Sequence, residues 1–198
     1  MVNVSDLAKY LLYLNKKEAE QAGDEAASDI DPMKLQKLLY YCQGYSLGIT
    51  GRALFDEKIE AWKYGPVVRT VYKEYQGYKG SCIPLDLVTS APEVDAYVSH
   101  IAELVMRDKG QYSATALMKM THKEPVWQDA WNRSIREGYS MFTNEPLSID
   151  TMKDYFSHEL DDEMPPEEED KLWHSIGREL THEEWSSIAE RASSGCII

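Results

Sequence analysis

The sequence predicts a mainly α protein: a compact multi-helix domain with at most a small β element around 54–62, followed by a C-terminal helical extension. Three observations carry this. Apolar residues recur at three- and four-residue spacing along most of the chain. Cap-and-proline pairs such as Asp31-Pro32 mark helix starts. Strand-like alternation is confined to Ile59-Glu60-Ala61-Trp62. At 198 residues and 43% hydrophobic content, the chain can bury a core without a disulfide or metal staple.

The first helix is expected to start at the cap Ser5, to carry Leu7, Leu11 and Leu14 on one face, and to fray near Gly23. A polar connector, 23–29, leads to the second helix. There Asp31 caps, Pro32 takes the first turn, and Leu35, Leu38, Leu39, Cys42 and Tyr45 turn inward until Gly48 to Gly51. Gly65-Pro66 reads as the opening of a third helix, burying Val67 or Val68 with Val71 and Tyr75. Residues 77–91 read as loop. Pro92 is expected to begin a helix with Val94, Val98, Ile101 and Val105 inward, closed by Gly110. Ser113 caps a short helix through Met120, and Pro125 opens another that ends at Gly138 and sets Trp127 and Trp131 one turn apart. Ser148 caps a helix running to Leu160.

The expected organisation is a domain over 1–158, a linker over 159–170 and a helical extension over 171–198. The linker carries eight acids and no base and is broken by Pro165-Pro166. Thr181-x-x-Glu184 has the form of a capping box within the extension. The formal charge of −13 is unevenly spread: residues 1–140 hold 17 basic and 19 acidic side chains, whereas residues 141–198 hold 4 and 15.

Chemistry is sparse. The histidines (His100, His122, His158, His174 and His182) have no metal-binding spacing, and Cys42, Cys82 and Cys196 form neither a disulfide framework nor a Cys-x-x-Cys pair. No cofactor is expected. Phosphate-cradling loops and nucleophile elbows are absent from the sequence. The start has no basic region before an apolar stretch, and no apolar run is long enough to span a membrane, so a reduced, cytoplasmic protein with no membrane partner is expected. His122 stands in a suggestive neighbourhood with Glu124, either for proton transfer or, the favoured reading, for bonding backbone groups at a helix junction. Residues 32–79 hold 8 basic and 4 acidic side chains interleaved with tyrosines and tryptophan. That block suits core or a protein interface, and less well a nucleic-acid surface.

One set of residues resembles a known family. Lys34-Leu35-Gln36-Lys37-Leu38-Leu39-Tyr40-Tyr41, then Phe55, then Ile59-Glu60-Ala61-Trp62-Lys63-Tyr64-Gly65-Pro66-Val67-Val68 and Val71-Tyr72, is similar to the first signature of the Panacea, or SocA-like antitoxin, domain. Tyr112-Ser113-Ala114, Leu117 and Thr121-His122-x-Glu124-Pro125-x-Trp127 resemble its second. The resemblance implies a mainly helical antitoxin of a bacterial toxin–antitoxin module, associated with prophages or other mobile elements. It implies neutralisation of a cognate protein toxin by direct binding and, as in the family's namesake, delivery of the toxin to a Clp-type protease as an alternative. It implies neither catalysis nor a metal. A nucleic-acid-binding regulator acting through 32–79 stays as the reading from another class. The family-motif residues to locate are Lys34, Leu38, Tyr40, Trp62, Gly65, Pro66, Tyr72, Ser113, Leu117, Thr121, His122, Glu124, Pro125 and Trp127, as scaffold or as partner contacts. The acidity beyond residue 158 fits a basic toxin.

Overall fold

The computed structural model describes residues 1–22, 30–136 and 143–161. The expected linker from residue 162 onward, the extension 171–198 and the helix end at Gly138 lie outside the described residues. The described chain is helical apart from one small antiparallel hairpin. Its helices are α1 (Val4–Gln21), α2 (Pro32–Thr50), α3 (Arg69–Tyr75), α4 (Ala96–Lys109), α5 (Ala114–Thr121), α6 (Pro125–Arg136) and α7 (Ile149–Asp161). The hairpin pairs β1 (Ile59–Trp62) with β2 (Gly65–Val68), and the loop after α3 contains two short 3-10 turns, Gln76–Tyr78 and Leu85–Leu87.

α2 is the axis of the molecule. It packs against α1, α4, α5, α7 and β2, so its polar positions Lys34, Gln36, Lys37, Gln43 and Ser46 are as buried as its leucines. Its start is the one expected, with Asp31 accepting the Lys34 N–H at 2.7 Å and Pro32 in the first turn. It ends at Thr50, and Gly51 caps it. The partner at α2's far side is α7, whose Phe156 ring occupies the space a Cβ at Gly44 would need. Gly44 therefore sets how closely the two helices approach.

Ser113 caps α5 through the Ala116 N–H, Pro125 opens α6, and Ser148 caps α7 through the Thr151 N–H, as expected. α7 runs to Asp161 and buries Leu160, so it continues past residue 158. Three starts differ from expectation. α1 is capped by Asn3, not Ser5: the Asn3 side chain accepts the Ser5 N–H at 2.9 Å. α4 begins at Ala96, not Pro92, because Asp95 accepts the Val98 N–H at 2.7 Å. A carboxylate that accepts this orphan donor is a stronger start than proline's fixed φ alone.

The third difference matters for the site. Gly65-Pro66 does not open a helix; it is the first half of β2, and α3 starts only at Arg69. Proline's missing N–H explains why a strand is allowed here. Trp62 pairs with Gly65 across a two-residue turn, which makes the next pair, Ala61 with Pro66, the kind that exchanges no hydrogen bonds. The ladder has no use for an N–H on Pro66, and Ala61 sends its own N–H outward to Glu145 O at 2.9 Å. Among the described residues, none other than glycine has positive φ, so Lys63 and Tyr64 do not form the left-handed turn that suits a tight hairpin. Gly65, at φ +94°, supplies the reversal instead.

Candidate functional site

The two motif regions converge on the hairpin and meet along three seams. In the first, the Tyr40 hydroxyl from α2 donates to Glu124, and the Tyr41 hydroxyl donates to the other carboxylate oxygen at 2.8 Å. Glu124 is only 6% exposed, in the turn between α5 and α6. Burial raises its pKa against the lowering effects of the two tyrosines and Lys109. Burial first, and then the Glu124 charge, raises both tyrosines, so their protons stay on the phenols.

The second seam is aromatic. Trp127 on α6 donates its indole N–H to Trp62 O at 3.1 Å and stacks on the His122 ring at 4.1 Å and on Trp131 at 5.3 Å. His122 caps α5, its N–H bonding Met118 O and its carbonyl accepting from Gln128. Nε2 of the ring is buried without a hydrogen-bond partner. Burial and then the nearby Lys37 lower its pKa. No hydrogen bond joins His122 to Glu124, so the proton-transfer pairing weighed from the sequence is not assembled. The junction is held by the backbone bonds of His122 itself, through its N–H and its carbonyl.

The third seam is the glycine bend. Lys37, 1% exposed, donates Nζ to Pro66 O at 2.9 Å, and Gln36 accepts the Val68 N–H at 2.7 Å. Both are outward-facing backbone groups of β2, so α2 supplies with side chains what a third strand would supply with backbone. A Cβ on Gly65 would sit 2.8 Å from both Lys37 Nζ and Thr121 Oγ1. Burial depresses the Lys37 pKa to about 7, with Asp31 opposing.

The seams thus unite Tyr40, Trp62, Gly65, Pro66, Thr121, His122, Glu124 and Trp127. Leu38, Leu117 and Lys34 are fully buried beside them. Tyr72 lies on the outer side of the hairpin, edge-on to Trp62 at 4.7 Å. Ser113 and Pro125 are exposed and act locally as helix starts. The outer side is organised by Glu60, which the Arg69 guanidinium grips with two bonds (3.0 and 2.7 Å) and which accepts the Trp62 indole N–H. Arg69 also lies over the Trp62 ring, 5.3 Å from its centroid.

The block 32–79 divides accordingly. Tyr40, Tyr41, Tyr45 and Tyr75 are core, whereas Tyr64 is 55% exposed on the hairpin turn. Sequence reasoning passed over Gln36, Lys37, Tyr41 and Gln43 as individual site residues. Gln43 accepts from the Leu54 and Phe55 N–H groups and donates to Phe55 O. Gln36, Lys37 and Tyr41 stand inside the first motif stretch, but polarity on a helix that also carries an apolar face reads as a solvent side. Cys42 is buried and its thiol is pushed up by that burial, as its apolar position implied. Among the described residues, no three His, Cys, Asp or Glu side chains are placed to hold a metal. No described helix is long and apolar enough to cross a membrane.

Comparison with known proteins gives the same residues a context. A family model described as antitoxin SocA-like, Panacea domain, matches residues 35–128, the stretch from α2 to α6 that builds the three seams. The curated protein Antitoxin SocA of Caulobacter vibrioides (strain NA1000 / CB15N) is 32% identical over 113 residues. That alignment covers 50% of this chain and 60% of the relative. No solved structure matches the chain. With both motif regions matched in order and folded onto each other, residues 35–128 are similar to the antitoxin SocA-like, Panacea domain.

Proposed function

We propose that this protein is an antitoxin that neutralises a cognate protein toxin by binding it directly, without catalysis, in the cytoplasm. The observation that carries the reading is the family match over 35–128, together with the relative named as an antitoxin. The geometry supports a binding role over an enzymatic one. The motif carboxylate is clamped by two phenols, and the motif histidine is stacked on an indole. Groups held this way fix helices and a hairpin in place. The buried motif residues are then mainly scaffold, and partner contacts fall on the surface and clefts around them. A basic toxin would complement the acidic excess beyond residue 140.

The test is co-expression with the product of the adjacent open reading frame. The expected outcome is growth rescue from that product's toxicity and a complex that survives copurification. A neighbour that is harmless alone, and that does not copurify, ends the reading. Unchanged toxin half-life during rescue would favour sequestration over delivery to a protease.

A further inference from the structure

A cleft of about 210 Å³ opens where α2, α5 and α7 meet, next to the first seam. Tyr41, Tyr45, Tyr155 and Phe156 form its walls, with Glu124 and Glu159 among the lining groups. We propose that this cleft receives one basic side chain, arginine or lysine, from a protein partner. The inference rests on the antitoxin reading for the partner's identity; the cleft's own preference stands apart from it.

The walls are a continuous aromatic surface. Phe156 meets Tyr41 at 6.1 Å, Tyr45 at 6.0 Å and Tyr155 at 5.1 Å, each at a steep angle, which presents ring faces as well as edges. Aromatic faces attract cations, most strongly where water is excluded. Glu124 contributes the decisive charge. Its bonds are to two neutral phenols, and among the described residues no cation lies within ion-pair distance of it. A buried carboxylate facing a cleft gains most from a cation that enters that cleft, because its field is poorly screened.

Two lysines also line the cleft, and they decide between a cationic and an anionic occupant. Lys109 is already neutralised by Asp108 at 2.9 Å, and Asp108 in turn accepts the Tyr45 hydroxyl. Lys123 is exposed, where water screens it. The buried carboxylate has no ion-pair partner among the described residues and feels only the longer-range charge of Lys109. Lys109 also shows the site in use: its ammonium lies 5.3 Å from the Tyr41 ring centroid. An incoming basic side chain would take over that aromatic wall, with Lys109 as its competitor.

The test uses the full chain and three probes at constant ionic strength, methylguanidinium, methylammonium and acetate, followed by amide chemical shifts of Lys123 and of residues 155–160. The expected result is saturable shifts with the two cations and none with acetate. Glu124→Gln should weaken cation binding at least about tenfold, and Lys109→Met should tighten it by removing the competitor. Preferential acetate binding, absence of saturation with either cation, or weaker cation binding in Lys109→Met would each overturn the proposal. Should Glu124→Gln fail to fold, the sign of the Lys109→Met effect still decides. Rescue of toxicity without cation binding would sink the cleft and keep the antitoxin reading. Cation binding by a protein that rescues nothing would do the opposite.

Discussion

The two sides of the hairpin hold polar groups by opposite means. On the inner side, Lys37, His122 and Glu124 are packed between α2, α5 and α6, and burial is the largest influence on each pKa, always against the charged form. On the outer side, Glu60 and Arg69 are charged partners joined by two bonds, with Arg69 38% exposed. The difference teaches what each polar group is for. Inner groups satisfy specific backbone atoms and phenols, so they select one arrangement at a cost in desolvation. Outer groups keep more of their hydration, chiefly at Arg69, and add a modest, salt-sensitive attraction.

The largest effect is expected where the inner side has no slack. Gly65→Ala combines positive φ with a Cβ 2.8 Å from Lys37 Nζ and Thr121 Oγ1, so chemical denaturation should show a loss of about 3 kcal/mol or more. A loss under about 1 kcal/mol would mean the three seams are not rigidly coupled through this residue.

Next comes the phenol clamp. Tyr40→Phe removes one of the two donors to a buried carboxylate and should cost about 2 kcal/mol. It should also raise the Glu124 pKa further, because the hydrogen bond that opposes burial is lost. Carboxyl titration by isotope-edited infrared spectroscopy would measure the shift. An unchanged or lower pKa would show that the tyrosine does not stabilise the charged form.

Lys37→Met is expected to be near neutral or stabilising at pH 7, within about 1.5 kcal/mol, because it exchanges a desolvated ammonium for an apolar chain of similar length. The pH dependence carries the sign. Lys37 has a folded pKa of about 7 against 10.5 for the free side chain, so the unfolded state binds the extra proton between those values. Stability from this group therefore rises with pH through that window, by on the order of 1 kcal/mol per unit. Wild type minus Lys37→Met, compared at pH 7 and 9, isolates the slope; a flat difference would place the ammonium in a charged, well-solvated state.

The smallest effect is expected outside. A double-mutant cycle on Glu60 and Arg69 should give a coupling of about 1 kcal/mol that shrinks in 1 M salt. A coupling that exceeds the Tyr40 effect would erase the contrast between the two sides.

Much of this was legible in sequence for a local reason. Asp31-Pro32, Ser113 and Ser148 cap helices with their own next turn, so three or four residues contain the whole interaction. The hairpin was half legible: Ile59 to Trp62 alternates, but Gly65-Pro66 carries signals for both a helix start and a strand. The register that leaves Pro66 without a hydrogen-bonding duty depends on the Trp62–Gly65 pairing, and Val68 depends on Gln36, 32 positions earlier. Asn3 and Asp95 were missed because more than one residue near each start could cap, and geometry chose.

By itself the sequence determined the helical class, most helix boundaries and the ordered pair of motifs that carries the family resemblance, because periodicity and capping act over one or two turns. Only the tertiary structure decided that α2 is enclosed on every side. That enclosure turns its polar residues inward, joins Tyr40 and Tyr41 to Glu124 across more than 80 positions, and leaves a carboxylate facing an aromatic cleft. Burial is a property of everything packed around a residue, and no short stretch of sequence contains it.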